Sequence, residues 1–103
     1  MLIIRGVNVY PTQVEAVLVG RPGLAPHYQL VIERLGALDH LRVEVEAQPG
    51  VDAATYEVLA RETTHHIKSL IGVSAEVAVQ APGSVERSQG KAVRVRDLRP
   101  KGS

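Results

Sequence analysis

The stretch Gly83-Ser84-Val85-Glu86-Arg87-Ser88-Gln89-Gly90-Lys91 carries the densest chemistry in the chain. Glycines bracket a polar loop, and a lysine stands at its exit. Gly90 lets the backbone take conformations that other residues avoid, or approach a ligand closely. Lys91 is a point charge with three donors on a flexible stem, suited to a phosphate or a carboxylate. Apolar alternation flanks the loop, Ala75 to Val79 before it and Ala92 to Val95 after it. A loop strung between two strands can aim one side chain reproducibly. It is not a Walker A loop. Six residues separate Gly83 from Gly90, too many for that motif. Ala92 stands where a Ser or Thr would hold magnesium, and the sequence after Lys91 alternates like a strand instead of opening a helix. On these residues alone, a surface loop with a solvated lysine is the simpler reading.

A second stretch, Arg5-Gly6-Val7-Asn8-Val9-Tyr10-Pro11, joins a flexible glycine, a small amide and a rigid proline just ahead of a helix signal. Strand-to-helix turns use these residues routinely. The histidines offer less. His65 and His66 are adjacent, so on a helix they point about 100° apart and cannot share a metal. His27 and His40 fall near opposite ends of a hairpin. Glu44 and Glu46 are expected on a solvated strand face. No Ser/His/Asp signature, dinucleotide fingerprint or metal site is read from the sequence.

Length and composition set the frame. The 103 residues are expected to form one domain, 1–103, with 45% hydrophobic and 22% charged residues. There is no Phe, Trp or Cys, so Val, Leu, Ile and Ala must build the core, and disulfides and thiolate metal sites are excluded. The lack of cysteine suits a cytoplasmic location. A net charge of +1 gives no strong field for nucleic acid. No apolar run approaches a membrane span, and the N-terminus does not read as a signal peptide. Arg94, Arg96, Arg99 and Lys101 make the C-terminal end basic, which a solvated tail explains.

The elements that must position these residues follow from periodicity. Leu2-Ile3-Ile4 and Val7-Asn8-Val9 read as short extended segments joined at Gly6. Thr12 and Glu15 fit a capping box for a helix over Thr12–Val19, with Val14, Val17 and Leu18 on one face. Residues 27–34 and 41–47 read as a hairpin about a turn at Leu35–Asp39. Asp52 is the expected N-cap of a long helix, Ala53–Ile71, with a stripe of Tyr56, Leu59, Thr63, Ile67 and Leu70 closed by Gly72. Strands follow at Ala75–Val79 and near Ala92–Val95. The order predicts a ferredoxin-like α+β sandwich, β-α-β-β-α-β, with an antiparallel sheet and two helices on one face as right-handed crossovers.

Taken together, the two polar stretches carry a resemblance. Residues 1–15, through Arg5-Gly6-Val7-Asn8-Val9-Tyr10-Pro11, resemble the segment that opens the C-terminal domain of adenylate-forming acyl-CoA ligases. Glu86-Arg87-Ser88-Gln89-Gly90-Lys91-Ala92-Val93-Arg94 resembles the catalytic-lysine segment near that domain's end. Details at both, and Pro22 to Leu30 between them, look most like the phenylacetate–CoA ligase family. The resemblance implies ATP-dependent ligation of an acid to CoA through an acyl-adenylate, with ATP, Mg2+ and CoA as substrates of the full enzyme and none bound tightly by this chain alone. It implies Lys91 as the catalytic lysine of adenylation, with Ser88 and Gly90, like Gly6 to Tyr10, as cofactor-binding residues. It implies that Gly6, Val7, Asn8, Val9 and Tyr10 face the active site when CoA attacks. The partner implied is an N-terminal adenylation domain, which carries the acid pocket and phosphate-binding loop. The chain alone, a fragment or a separately encoded piece, is therefore expected to be inactive. An exposed edge strand offers a route to a homo-oligomer. The rival reading is a non-catalytic ferredoxin-like module that binds a small molecule or pairs by its sheet.

Overall fold

The structure is a computed structural model that describes residues 2–84 and 95–99. The chain opens with two short strands, β1 (Leu2–Ile4) and β2 (Val7–Val9), paired antiparallel as a two-stranded ribbon. Helix α1 (Pro11–Val19), strands β3 (Leu24–Leu35) and β4 (Leu38–Ala47), helix α2 (Tyr56–Ile71) and strands β5 (Ala75–Gln80) and β6 (Val95–Asp97) follow. The last four strands form one sheet in the order β5-β4-β3-β6.

The α+β architecture with two helices holds, but the sheet is mixed where an antiparallel one was expected. β3 and β4 pair antiparallel through a tight turn at Gly36 and Ala37, whereas β5 joins β4 parallel and β6 joins β3 parallel. Only α2 bridges adjacent parallel strands. α1 links the ribbon to the sheet and is no crossover within it, contrary to expectation. The physical reason is that the apolar alternation of a strand has period two in either pairing, so it does not encode direction.

One side of the sheet is apolar. Leu30 and Ile32 of β3, Leu41, Val43 and Val45 of β4, and Ala75 and Val77 of β5 meet Val14 and Leu18 of α1 and Ile67 of α2. Ile4 and Val9 join this core from the ribbon, both with no exposed surface. The buried positions of α1, Val14, Val17 and Leu18, are the three expected. α2 buries Thr63 and Ile67, but Leu70 is 70% exposed and Ile71 packs against the core in its place.

The helix ends differ in how well they match expectation. α1 begins at Pro11, one residue ahead of the expected Thr12. Proline needs no N–H partner at that position, and the Tyr10 amide donates to Gln13 Oε1 at 3.2 Å, so the box runs from Tyr10 to Gln13 and not from Thr12 to Glu15. Asp52 caps as expected, its carboxylate accepting from the Ala54 amide at 2.9 Å, although the first turn, Ala53–Thr55, is a tighter 3-10 turn. Gly72 closes α2 at φ 89°, a left-handed conformation in which glycine is favoured. β3 starts before the expected His27 because a bulge between Leu24 and Tyr28 takes Pro26 out of the ladder. Ala92 to Arg94 of the last expected strand lie outside the described residues, while β6 begins at Val95.

Candidate functional site

The first candidate stretch is the turn and second strand of the ribbon. Arg5 and Gly6 both have positive φ, 51° and 77°, between paired Ile4 and Val7. That is the backbone of a type I′ hairpin turn, which matches the twist of the flanking strands. Gly6 takes this conformation freely, whereas Arg5 carries some strain. The Arg5 side chain turns back and donates from Nε to the Asp39 carbonyl at 2.8 Å. Along β2 the side chains alternate. Val7 and Val9 pack toward the core, and Asn8 and Tyr10 face outward, Tyr10 with 44% of its surface exposed. The expected residues therefore split. Gly6, Asn8 and Tyr10 are presented, and Val7 and Val9 anchor them. An open cleft beside the turn is lined by Ile3, Arg5, Gly6, Arg34, Leu38 and Asp39 among others.

Behind the ribbon lies a charged network that sequence reasoning missed. Asp39, at the start of β4, accepts from Arg34 Nε at 3.0 Å through one carboxylate oxygen and from Arg99 Nη1 at 2.8 Å through the other. Hydrogen bonds from Arg34 and then Arg99 hold the Asp39 carboxyl below its ordinary pKa of 3.8. Arg99 also grips both carboxylate oxygens of Asp97, which lowers that carboxyl too, and donates to the Ile3 carbonyl at 2.9 Å. Arg99 itself is held more firmly protonated by Asp97 and then Asp39. It is not the solvated tail residue that the basic C-terminal end suggested, since its side chain is only 18% exposed.

The second candidate stretch begins just after the far end of β5. Ser84 N–H donates to the Ala81 carbonyl at 3.1 Å, and Gly83 sits at φ 86°. Proline second and a positive-φ glycine third is the pattern of a type II turn. The Gly83 amide, which that turn does not use, donates to Glu46 Oε1 at 2.8 Å. Glu46 is 1% exposed, so the solvated strand face expected for it is wrong at this position. Glu44 is partly exposed and pairs with Arg42 at 3.2 Å. Ser88, Gly90 and Lys91 lie outside the described residues. Among the described residues no group of three or more His, Cys, Asp or Glu converges on a metal position, and no helix is long and apolar enough to cross a membrane. His66 Nε2 accepts from Arg21 and His40 pairs with Glu76, so both serve packing contacts between elements.

A small α+β domain with a type I′ ribbon leading into a capped helix, and a mixed four-stranded sheet, fits the C-terminal domains of AMP-binding enzymes. The chain belongs to the AMP-binding enzyme C-terminal domain family, whose profile matches residues 6–99. It is 49% identical to a phenylacetate-coenzyme A ligase of Aromatoleum evansii over 98% of this chain and 24% of that protein. The chain thus spans about a quarter of the length of the curated relatives it matches. Among solved structures, a domain of phenylacetate-coenzyme A ligase from Bacteroides vulgatus superposes with a TM-score of 0.88 at 33% identity, covering 98% of this chain and 94% of that one. A 2-hydroxyisobutyryl-CoA ligase with 2-HIB-AMP and CoA, in the thioesterification state, gives a TM-score of 0.87 at 37% identity over 96% of this chain and 21% of that one.

Proposed function

We propose that residues 1–103 form a single unit, the mobile C-terminal domain of a phenylacetate–CoA ligase, working with an N-terminal adenylation domain. The observation that carries this reading is the 49% identity to such a ligase along 98% of the chain. Two half-reactions follow. In the first, the acid's carboxylate oxygen attacks the α-phosphorus of ATP, forming the acyl-adenylate as pyrophosphate leaves. Lys91 supplies a cation where negative charge develops, with Ser88 and Gly90 as substrate-binding residues of the same segment. In the second, the domain rotates and presents the ribbon. The CoA thiol attacks the acyl carbonyl, the thioester forms and AMP leaves. Gly6 and the backbone through Tyr10 line the path of the pantetheine arm. One rigid body that supplies two sets of groups in turn is a hinge mechanism.

ATP, CoA and the acid are substrates in this reading, and the chain alone binds none of them tightly. Magnesium arrives with ATP, and the described residues offer it no ligand set. The site of action is the cytoplasm, consistent with a chain free of cysteine. A homo-oligomer through an edge strand remains part of the proposal.

The test is to join the chain to its adenylation domain and incubate it with ATP, phenylacetate and CoA. Phenylacetyl-CoA, AMP and pyrophosphate should form together, and the isolated chain should form none of them. An intact protein that makes no acyl-adenylate from phenylacetate or other carboxylic acids sinks the reading.

A further inference from the structure

We propose that Arg99 is a positioning residue that locks the β1–β2 ribbon, and with it the Gly6 to Tyr10 face, onto the main sheet through Ile3, Asp39 and Asp97. The proposal rests on the assignment of that face to thioester formation, and it adds the residues that hold the face in place.

The ribbon needs such a lock. Among the described residues it is a separate two-stranded sheet, with no ladder bond to the four-stranded one. An isolated two-stranded hairpin is at best marginally stable in water. Its inner face is fixed by Ile4 and Val9 in the core. Apolar contacts are non-directional, so they hold the ribbon down without fixing its angle. Direction comes from hydrogen bonds at its turn end. Arg99 Nη1 reaches the Ile3 carbonyl at 2.9 Å, across nearly the whole length of the chain. The same nitrogen meets Asp39 Oδ2 at 2.8 Å, so one atom joins β1 to β4. The remaining donors clasp Asp97 at 2.9 and 2.7 Å, which ties both to β6. Arg5 adds a second strut from the turn to the Asp39 carbonyl.

The choice of arginine fits this task. Its guanidinium is planar, always charged and carries five donors in a rigid fork. Four acceptor atoms on three elements use that fork in fixed directions. A lysine would keep the charge but lose the fork. The placement along the chain is equally telling. β6 immediately follows the Lys91 segment and pairs with β3 from Leu30↔Val95 to Ile32↔Asp97, and Leu98 N–H then donates to the Ile32 carbonyl at 2.7 Å. Arg99 is therefore delivered to the ribbon by the strand that ends the lysine segment. One side chain fixes the orientation of the thioester-forming face relative to the strand that closes the adenylation segment.

The experiment uses the chain joined to its adenylation domain, with Arg99→Ala, Arg99→Lys, Asp39→Asn and Gly6→Val compared. Supplied phenylacetyl-adenylate and CoA report the second half-reaction, and pyrophosphate release without CoA reports the first. Arg99→Ala should lower thioester formation by about tenfold or more, the scale of a small misplacement of a reacting face. Adenylation should stay within about twofold, and Arg99→Lys should recover only part of the loss. Amide exchange should quicken in β1 and β2 while β3 and β4 stay protected. Should Arg99→Ala fail to fold, Asp39→Asn carries the same comparison, with a smaller loss in the same half-reaction. Unchanged ribbon exchange, or equal loss in both half-reactions, overturns the proposal. If Gly6→Val leaves thioester formation intact, the reading of the ribbon itself fails. If Gly6→Val impairs it and Arg99→Ala does not, only the lock fails.

Discussion

Asp39 and Glu46 stand near the two ends of β4, about 23 Å apart at a strand's rise of roughly 3.3 Å per residue. Each acid contacts one of the two candidate stretches. Asp39 works through charge, its partly buried carboxylate shared by Arg34 and Arg99 while its carbonyl takes Arg5. Glu46 works from within, a carboxylate with 1% exposure accepting a neutral backbone amide of the Gly83 turn. Alternation along the strand sends the two side chains to opposite faces of the sheet. Charge-paired groups hold in a way that acid can loosen. A buried, hydrogen-bonded carboxylate is costly to place and costly to remove. The ribbon is thus held through a charged network, and the Gly83 turn through a buried carboxylate.

The comparison can be broken end by end. Lys91→Ala in the joined protein should cut overall phenylacetyl-CoA formation by about 10²-fold or more, the size expected when a fixed charge at a developing anion is lost. Steady-state turnover measures it. Glu46→Ala should come next. Leaving the Gly83 amide without its acceptor costs about 1–3 kcal/mol in urea unfolding, and adenylation should suffer before thioester formation. Glu46→Gln, which keeps an acceptor, should recover most of the loss.

Gly6→Ala is a milder change at the opposite end. A methyl there meets nothing within 4 Å, so the cost is conformational, about 1 kcal/mol for a non-glycine residue in the left-handed region. Gly6→Asn should cost less, because Asn tolerates that region. Chemical denaturation of the two variants separates backbone strain from any effect on thioester formation. Acid titration is the gentlest probe. The folded Asp39 carboxyl has a lowered pKa, so its stabilisation is complete above the ordinary value of 3.8 and fades as pH falls through and below it. Asp97 behaves likewise. Asp39→Asn should flatten the fall of melting temperature below about pH 4, while Glu46→Gln leaves the Asp39 contribution to that limb in place.

Much of this molecule was legible in local pattern. The alternation from Leu41 to Ala47, the Asp52 cap, the Gly72 stop and the Gly36 turn each depend on near neighbours, and each stands where the sequence places it. The ribbon stretch was legible as a joint at Gly6, though not the positive φ of Arg5. What was hidden depends on residues far apart in the chain. Parallel pairing of β5 and β6 leaves no trace in period-two alternation. Glu46 has the sequence context of a solvated acid, alternating with apolar residues like Glu44, and only the return of the chain at Gly83 reveals its role. Arg99 and Ile3 are joined across nearly the full sequence, and no spacing rule links them. Lys91 was found by motif resemblance, and its geometry lies outside the described residues.

The measurement that bears most directly on the two-ended account uses Lys91→Ala with the first half-reaction bypassed. The joined protein is given synthetic phenylacetyl-adenylate and CoA, and thioester formation is followed. The account predicts a rate within about threefold of the unaltered protein, because the ribbon and its Arg99 contacts are intact when chemistry at the lysine is no longer required. A collapse of thioester formation comparable to the loss of adenylation would contradict it, and would make the two ends of β4 parts of a single site.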